Sequence, residues 1–338
     1  MWPAAVHYPR GNAVANSTQL WRRWLAPAIK IAVVALVIWG VRRSLIENIE
    51  QFDQLSARIR WPWFIFAGAI YLVSLLPAVH IWRLALGALG QHPSFGATLR
   101  AYSIGHLGKY VPGKAMVVVI RAGLLAPGGV DPAMAAVAVF YETFSFLAAG
   151  SVTAAVLMLW WHPQEHLLVG AAISLAIVAV IPTLPPVFRR LARAANRFQT
   201  SGSPPEFHWP GRLRLVGAWL LLCLGWVGQG ISLWACLRGL GMELAWYEHL
   251  ATHTATVTMA VAAGFFALIP AGAVVREAVL ARLLTPLYGE SEGLLAAVSL
   301  RLIWLMAELA ISIILYPMGW LGRRERALTL ERARSRKT

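Results

Sequence analysis

The sequence predicts an all-α, polytopic integral membrane protein with about six full spans and two broken or re-entrant helical hairpins forming an inverted repeat. Three observations carry that prediction. Of 338 residues, 58% are hydrophobic and only 13% charged, about half the charged share of an ordinary soluble domain. The apolar residues gather into runs of about 20, the helix length that crosses a ~30 Å hydrocarbon layer. Two further apolar stretches are each interrupted by a Pro/Gly break in similar surroundings.

Taken in order, residues 1–25 read as a basic cytoplasmic arm and 26–321 as a single transmembrane domain. A first span covers about 26–41, and the mixed-charge segment 42–60 reads as an interfacial helix. The first repeat, about 62–160, holds a span at 62–83, a broken pair at 94–107 and 111–126, and a span at 132–160. A connector span is expected at 167–188, followed by a basic cytoplasmic loop at 189–214. The second repeat, about 214–320, holds a span at 214–237, a broken pair at 249–268 and 273–285, and a last span at 292–320. A basic cytoplasmic tail, 322–338, follows.

Charge placement fits this map. The chain carries thirty Lys+Arg against fifteen Asp+Glu, a formal net charge of +15. Six arginines fall in 189–214 and seven Lys/Arg in the tail, whereas 161–166 and 285–292 have none. The positive-inside rule therefore places the loop and both termini in the cytoplasm, in a cytoplasmic (plasma) membrane. The basic residues occupy short loops and tails between apolar runs, so they read as topology signals and lipid contacts rather than a nucleic-acid surface. Several of the sixteen Trp, among them Trp61, Trp63, Trp160, Trp161 and Trp209, stand at run ends, where indole favours the interface. Cys223 and Cys236 lie thirteen residues apart on one run, roughly 20 Å along a helix, too far for a disulfide.

The repeat is visible in two segments, YVPGKAMVVVIRAGLLAPGGVDP (110–132) and ALIPAGAVVREAVLARLLTPLYG (267–289). Arg121 and Arg276 take comparable places, as do Pro127 and Pro286. Fifteen residues beyond each of those prolines the next span carries a charge, Glu142 in one copy and Arg301 in the other. The assigned sidedness makes the copies antiparallel, the plan of many transporters whose sites lie between the repeats. Pro112 and Pro270 break the helices by removing a donor, and Gly113 and Gly272 permit the sharp return.

A charge at the bilayer centre costs about 2.5–3.5 kcal/mol, so each retained one asks for a reason. The candidates are Lys109, Lys114, Arg121, Glu142, Arg276, Glu277, Arg301 and Glu308. The structural reading makes them snorkelling residues or ion pairs, such as Glu142 with Arg301. Taken together they leave a surplus of cation beside broken helices, which suits an anionic group such as a lipid phosphate. Arg301 and Glu308 are two turns apart and share a face. His249 and His253 have i,i+4 spacing but lack the HExxH order and a third ligand, so no metal is expected. No Walker, Rossmann or nucleophile-elbow motif is present in the sequence. No cofactor and no catalytic group are expected.

At LGKYVPGK (107–114) followed by Arg121, and FALIPAGAVVRE (266–277) followed by Arg301 and Glu308, the sequence resembles the flippase-like transmembrane family. That family is typified by the membrane region of lysylphosphatidylglycerol synthase, and the resemblance covers roughly 28–320. Its members usually carry a further glycine before the arginine of the second motif, where Val274-Val275 stand here. In the bifunctional synthases an aminoacyl-transferase domain follows; this chain ends fewer than twenty residues after its last span, so synthase activity is expected to be absent. The resemblance implies translocation of a lipid between leaflets, or a supporting role in handling polyprenyl-linked glycans, with cell-envelope biosynthesis proteins as further partners. The alternatives are a membrane-embedded lipid-modifying enzyme and a non-transporting scaffold for envelope assembly. Against the enzyme stands the scarcity of acids, since Asp53 and Asp131 are the two aspartates of the chain.

Overall fold

A computed structural model describes residues 59–111, 115–161, 163–164, 166–196, 207–245, 247–266 and 274–317, and no strand occurs among them. The expected span at 26–41, nearly all of the 42–60 segment, the tail, Lys114 and the break residues Pro112, Gly113, Pro270 and Gly272 lie outside the described residues.

Helices α1 (Trp61–Ser74) and α2 (Leu76–Ala88) run on across Leu75 as one apolar stretch of 28 residues. Pro77 sits in the first turn of α2, where a missing N–H costs least. Helix α3 (Phe95–His106) starts at Ser94, whose Oγ accepts a hydrogen bond from the Ala97 N–H at 3.3 Å. It tightens into a 3₁₀ turn over Leu107–Tyr110, and α4 (Ala115–Leu125) packs back along it. Asp131 opens α5 (Pro132–Trp161), its Oδ1 accepting from Met134 N–H at 2.9 Å.

The connector is bent. Within the stretch expected as a span at 167–188, α6 (His166–Val180) ends in a turn at Ile181–Thr183, and α7 (Pro185–Asn196) leaves it at a 51° bend. Pro182, Pro185 and Pro186 remove the donors that would have carried the ladder through. Helix α7 also takes the first part of the expected basic loop. It is amphipathic, burying Phe188 and Ala192 and exposing Arg189, Arg190 and Arg193.

Four more helices follow: α8 (Arg212–Gly239), α9 (Leu250–Phe266), α10 (Val275–Tyr288) and α11 (Glu290–Leu315). Among the described residues four stretches are long and apolar enough to cross a membrane, α1–α2, α5, α8 and α11, or five if the bent α6–α7 pair counts as one. They match the runs expected at 62–83, 132–160, 214–237 and 292–320. Both broken pairs are present as short-helix hairpins, α3–α4 and α9–α10.

The packing has a regular plan. Helix α1 packs on α8; the first hairpin meets α11 through α3, and the second meets α5 through α9. Helix α5 also meets α8, as α11 meets α1. Exchanging α1, α3, α4, α5 for α8, α9, α10, α11 leaves these neighbour pairs unchanged. A polar thread ties three of the long helices: Trp304 Nε1 donates to Ser232 Oγ at 2.9 Å, and that hydroxyl donates to Ala67 O at 2.8 Å. At the end of α8, Arg60 and Arg238 clamp Glu243 at 2.8 and 3.0 Å. Their hydrogen bonds, Arg60 first, hold this exposed carboxyl below the usual carboxylate range.

Val274, just before α10, has φ 68° and ψ −51°. That is a positive-φ, γ-turn-like conformation which a β-branched residue reaches only with strain. It stands where the resembling family usually carries glycine. At 67% exposure its side chain has little packing to lose. Val274→Gly is therefore expected to stabilise the protein by about 1 kcal/mol, the relieved strain less the entropy glycine forfeits on folding. Denaturant titration in detergent micelles checks this; an unchanged or lower midpoint would refute it.

Candidate functional site

The hairpin α3–α4 brings the first charges inside. Two glycines of α3 and its 3₁₀ turn allow the close approach: a Cβ on Gly105 would fall 2.3 Å from Arg121 Cγ, and one on Gly108 2.7 Å from Val117 N. Arg121, only 2% exposed, thereby reaches Glu142 on α5, its Nη1 2.6 Å from Oε2. Tyr102 OH donates to the other carboxylate oxygen at 3.3 Å. The guanidinium lies over the rings of Tyr102 and Trp82, 3.9 and 5.2 Å from their centroids.

A second cluster forms where the 3₁₀ turn meets α11. Glu308, 1% exposed, accepts from Lys109 Nζ at 2.5 Å and from Tyr71 OH on α1. His106 stands between the two clusters, with Nδ1 3.5 Å from Arg121 Nη2 and Nε2 3.5 Å from Tyr71 OH. Its Nε2 is 3.6 Å from Glu308, beyond hydrogen-bond length. One ring thus touches groups of both clusters.

The third group comes from the other hairpin. Arg301 on α11 meets Glu277 on α10 at 2.8 Å. Arg276 lies over Trp304, 4.4 Å from the ring centroid, and Trp304 is stacked on Tyr71 at 4.1 Å. Because Trp304 joins Arg276 to Tyr71, and Tyr71 bonds Glu308, the second and third groups are contiguous.

The pairing corrects one expectation. Glu142 does not meet Arg301: each carboxylate pairs across its own hairpin and following helix, Arg121 (α4) with Glu142 (α5) and Glu277 (α10) with Arg301 (α11). Among the described candidates, four cations face three carboxylates. Lys109, Arg121 and Arg301 each have one, whereas Arg276 has an aromatic ring and no described carboxylate. The expected surplus cation therefore has an address. Lys114 and the four break residues fall outside the described residues.

Tyr71, Tyr102 and His106 were not singled out from the sequence. Tyr102, His106 and Lys109 follow i, i+4, i+7, a one-face spacing that could have exposed two of them. Tyr71 has no such local signal.

An apolar cleft of about 150 Å³ opens onto this site between the α1–α2 joint, α3 and α11. Glu308 and His106 line its polar end, and Leu72, Leu76, Val79 and Ile311 belong to its apolar wall. Leu76 and the neighbouring Val73 are exposed on the outer helical surface, so the cleft leads outward toward lipid. No group of three or more His, Cys, Asp or Glu suited to a metal occurs among the described residues. His253 instead bonds Tyr288 OH through Nε2 at 2.8 Å.

The model of one protein family, described as the lysylphosphatidylglycerol synthase TM region, matches residues 27–312 of the chain. No curated protein matches it.

Proposed function

The chain belongs to the lysylphosphatidylglycerol synthase transmembrane-region family, and from that premise we propose that it moves an anionic phospholipid or a polyprenyl-phosphate-linked lipid between leaflets of the cytoplasmic membrane, with both termini in the cytoplasm. Arg276 carries the reading: a cation with no described carboxylate, joined through Trp304 and Tyr71 to the Lys109–Glu308 pair. A lipid phosphate would bond Arg276 and compete with Glu308 for Lys109 through charge-assisted contacts. Lys114, Arg121 and Arg301 would add to the positive field, with Glu142, Glu277 and Glu308 tuning it. The cleft beside His106 and Glu308 would let the acyl chains stay in lipid while the head group enters.

The exchange-invariant packing of the two halves supports an inverted repeat whose hairpins expose the site alternately. Pro112, Gly113, Pro270 and Gly272 would be the break points of those hairpins. On this reading the protein is a carrier, not an enzyme. A scaffold for cell-envelope assembly is the competing reading, favoured by the three cations that already have carboxylate partners.

A head-group accessibility assay on labelled anionic lipids, in vesicles holding the purified protein, separates the two. Wild type is expected to speed leaflet exchange. Arg276→Ala should slow it about 10- to 100-fold, the loss of one charge-assisted contact. An Arg276→Ala protein that exchanges at the wild-type rate would sink the transport reading in this form. No exchange by wild type would favour the scaffold.

A further inference from the structure

A second cavity lies away from the intramembrane charges, and none of its lining residues belongs to them. It fills about 850 Å³ between the end of α2 and the start of α8. His80, Arg83, Leu84 and Gly87 line it from α2, and Arg214, Gly217, Ala218 and Leu221 from α8. Both sets follow i, i+3, i+4, i+7, so each helix offers one continuous face. His92 and His208 complete the rim, and the His208 N–H donates to Ala88 O at 3.2 Å, closing the mouth between the two helices. Trp209 anchors this rim on Phe188 of α7 and Tyr141 of α5, with ring centroids 5.2 and 5.7 Å away.

Among the described residues that line it, the charged side chains are of one sign and none is a carboxylate. Asp131, which touches the lining through its N–H bond to Gln91, is engaged, its Oδ1 capping α5. Arg189, Arg190 and Arg193 stand exposed on α7, the helix against which the rim packs, and Arg212 is exposed at the start of α8. Such a site attracts an anion.

The shape selects which anion. The cavity is far larger than a phosphate ion and becomes apolar away from the rim, through Leu84, Gly217, Ala218 and Leu221. A Cβ at Gly217 would meet nothing within 4 Å, so space is open there. On its outer side α8 presents Leu213, Val216, Leu220 and Leu224 to lipid, and Leu221, at 46% exposure, borders both surfaces. Arginines at the mouth, an apolar wall below and a lipid-facing flank describe the surroundings of one phospholipid seated at the membrane edge.

We propose that this cleft between α2 and α8 is a binding site for an anionic phospholipid, its phosphate held by Arg83 and Arg214 and its chains lying along α8. The site is independent of the transport reading.

The full-length protein in phosphatidylcholine vesicles, with a small fraction of photoreactive phosphatidylglycerol carrying its diazirine near the glycerol, provides the test. Adducts mapped by mass spectrometry should fall within 80–93 and 208–221. Arg83→Ala with Arg214→Ala should cut them about tenfold or more, whereas the paired Lys substitutions should keep them within about threefold, since charge rather than shape is retained. Arg276→Ala should leave these adducts unchanged, and adducts on α3, α10 and α11 report the other site separately. Three results would each overturn the proposal: adducts insensitive to the Ala pair, equal labelling by a phosphatidylcholine probe, or displacement by millimolar inorganic phosphate.

Discussion

Glu142→Ala is expected to destabilise the folded protein by about 3–5 kcal/mol, because it strands a buried charge. Arg121 is almost wholly enclosed, its Nε already lacks a partner among the described residues, and Glu142 is the carboxylate it touches. Removing that carboxylate leaves a guanidinium facing Tyr102, Trp82 and His106 at membrane depth, where no bulk water can replace the lost oxygen. The aromatic faces recover only a part, about 0.5–2 kcal/mol. The double replacement Arg121→Met with Glu142→Leu should behave differently. It removes both charges and keeps volume, so stability should return to within about 1–2 kcal/mol of wild type. Denaturation in detergent of the two singles and the double gives the coupling energy directly. A Glu142→Ala protein within about 1 kcal/mol of wild type would mean that water or lipid phosphate reaches Arg121.

Glu308→Gln should separate binding from movement. In the wild type Glu308 neutralises Lys109 and accepts from Tyr71. The amide keeps the shape but gives up the charge, so the net positive charge of the described candidates rises from one to two. An anionic head group then meets Lys109 without competition. Its half-saturating concentration should fall about tenfold, the equivalent of 1.4 kcal/mol. Release becomes harder by the same amount, so leaflet exchange at saturation should also fall about tenfold. Concentration-dependent exchange in vesicles reads both quantities. A loss of exchange without tighter binding would show that Glu308 holds the fold together rather than competing for the cation.

Much of this site could be read from the sequence because charges inside apolar runs are rare and breaks carry prolines. Lys109, Arg121, Arg276 and Glu277 stand on the two broken hairpins, and Glu142, Arg301 and Glu308 on the long helices that follow them. The pairing was not legible: sequence spacing fixes which residues share a helix face but not how neighbouring helices are rotated. Glu142 was therefore matched with Arg301, whereas each found its partner across its own hairpin. Tyr71 escaped notice for a related reason, since an apolar helix with one tyrosine is ordinary until α11 is placed beside it. Hydropathy alone does not show the connector's 51° bend, which lies where Pro182 and the Pro185-Pro186 pair remove backbone donors. The cleft between α2 and α8 joins segments far apart in sequence, and only packing reveals it.

Val274 sets a limit on how this chain can improve. Two residues before the surplus cation, the backbone occupies a turn that a valine resists, so part of the folding energy is held as tension in the polypeptide rather than dissipated. The first turn of α10 is then the cheapest place to unwind. Each residue that unwinds displaces the start of the helix by about 1.5 Å along its axis, and Arg276 travels with it. Selecting the chain for hardiness would remove that tension first, two residues before the half-buried guanidinium of Arg276.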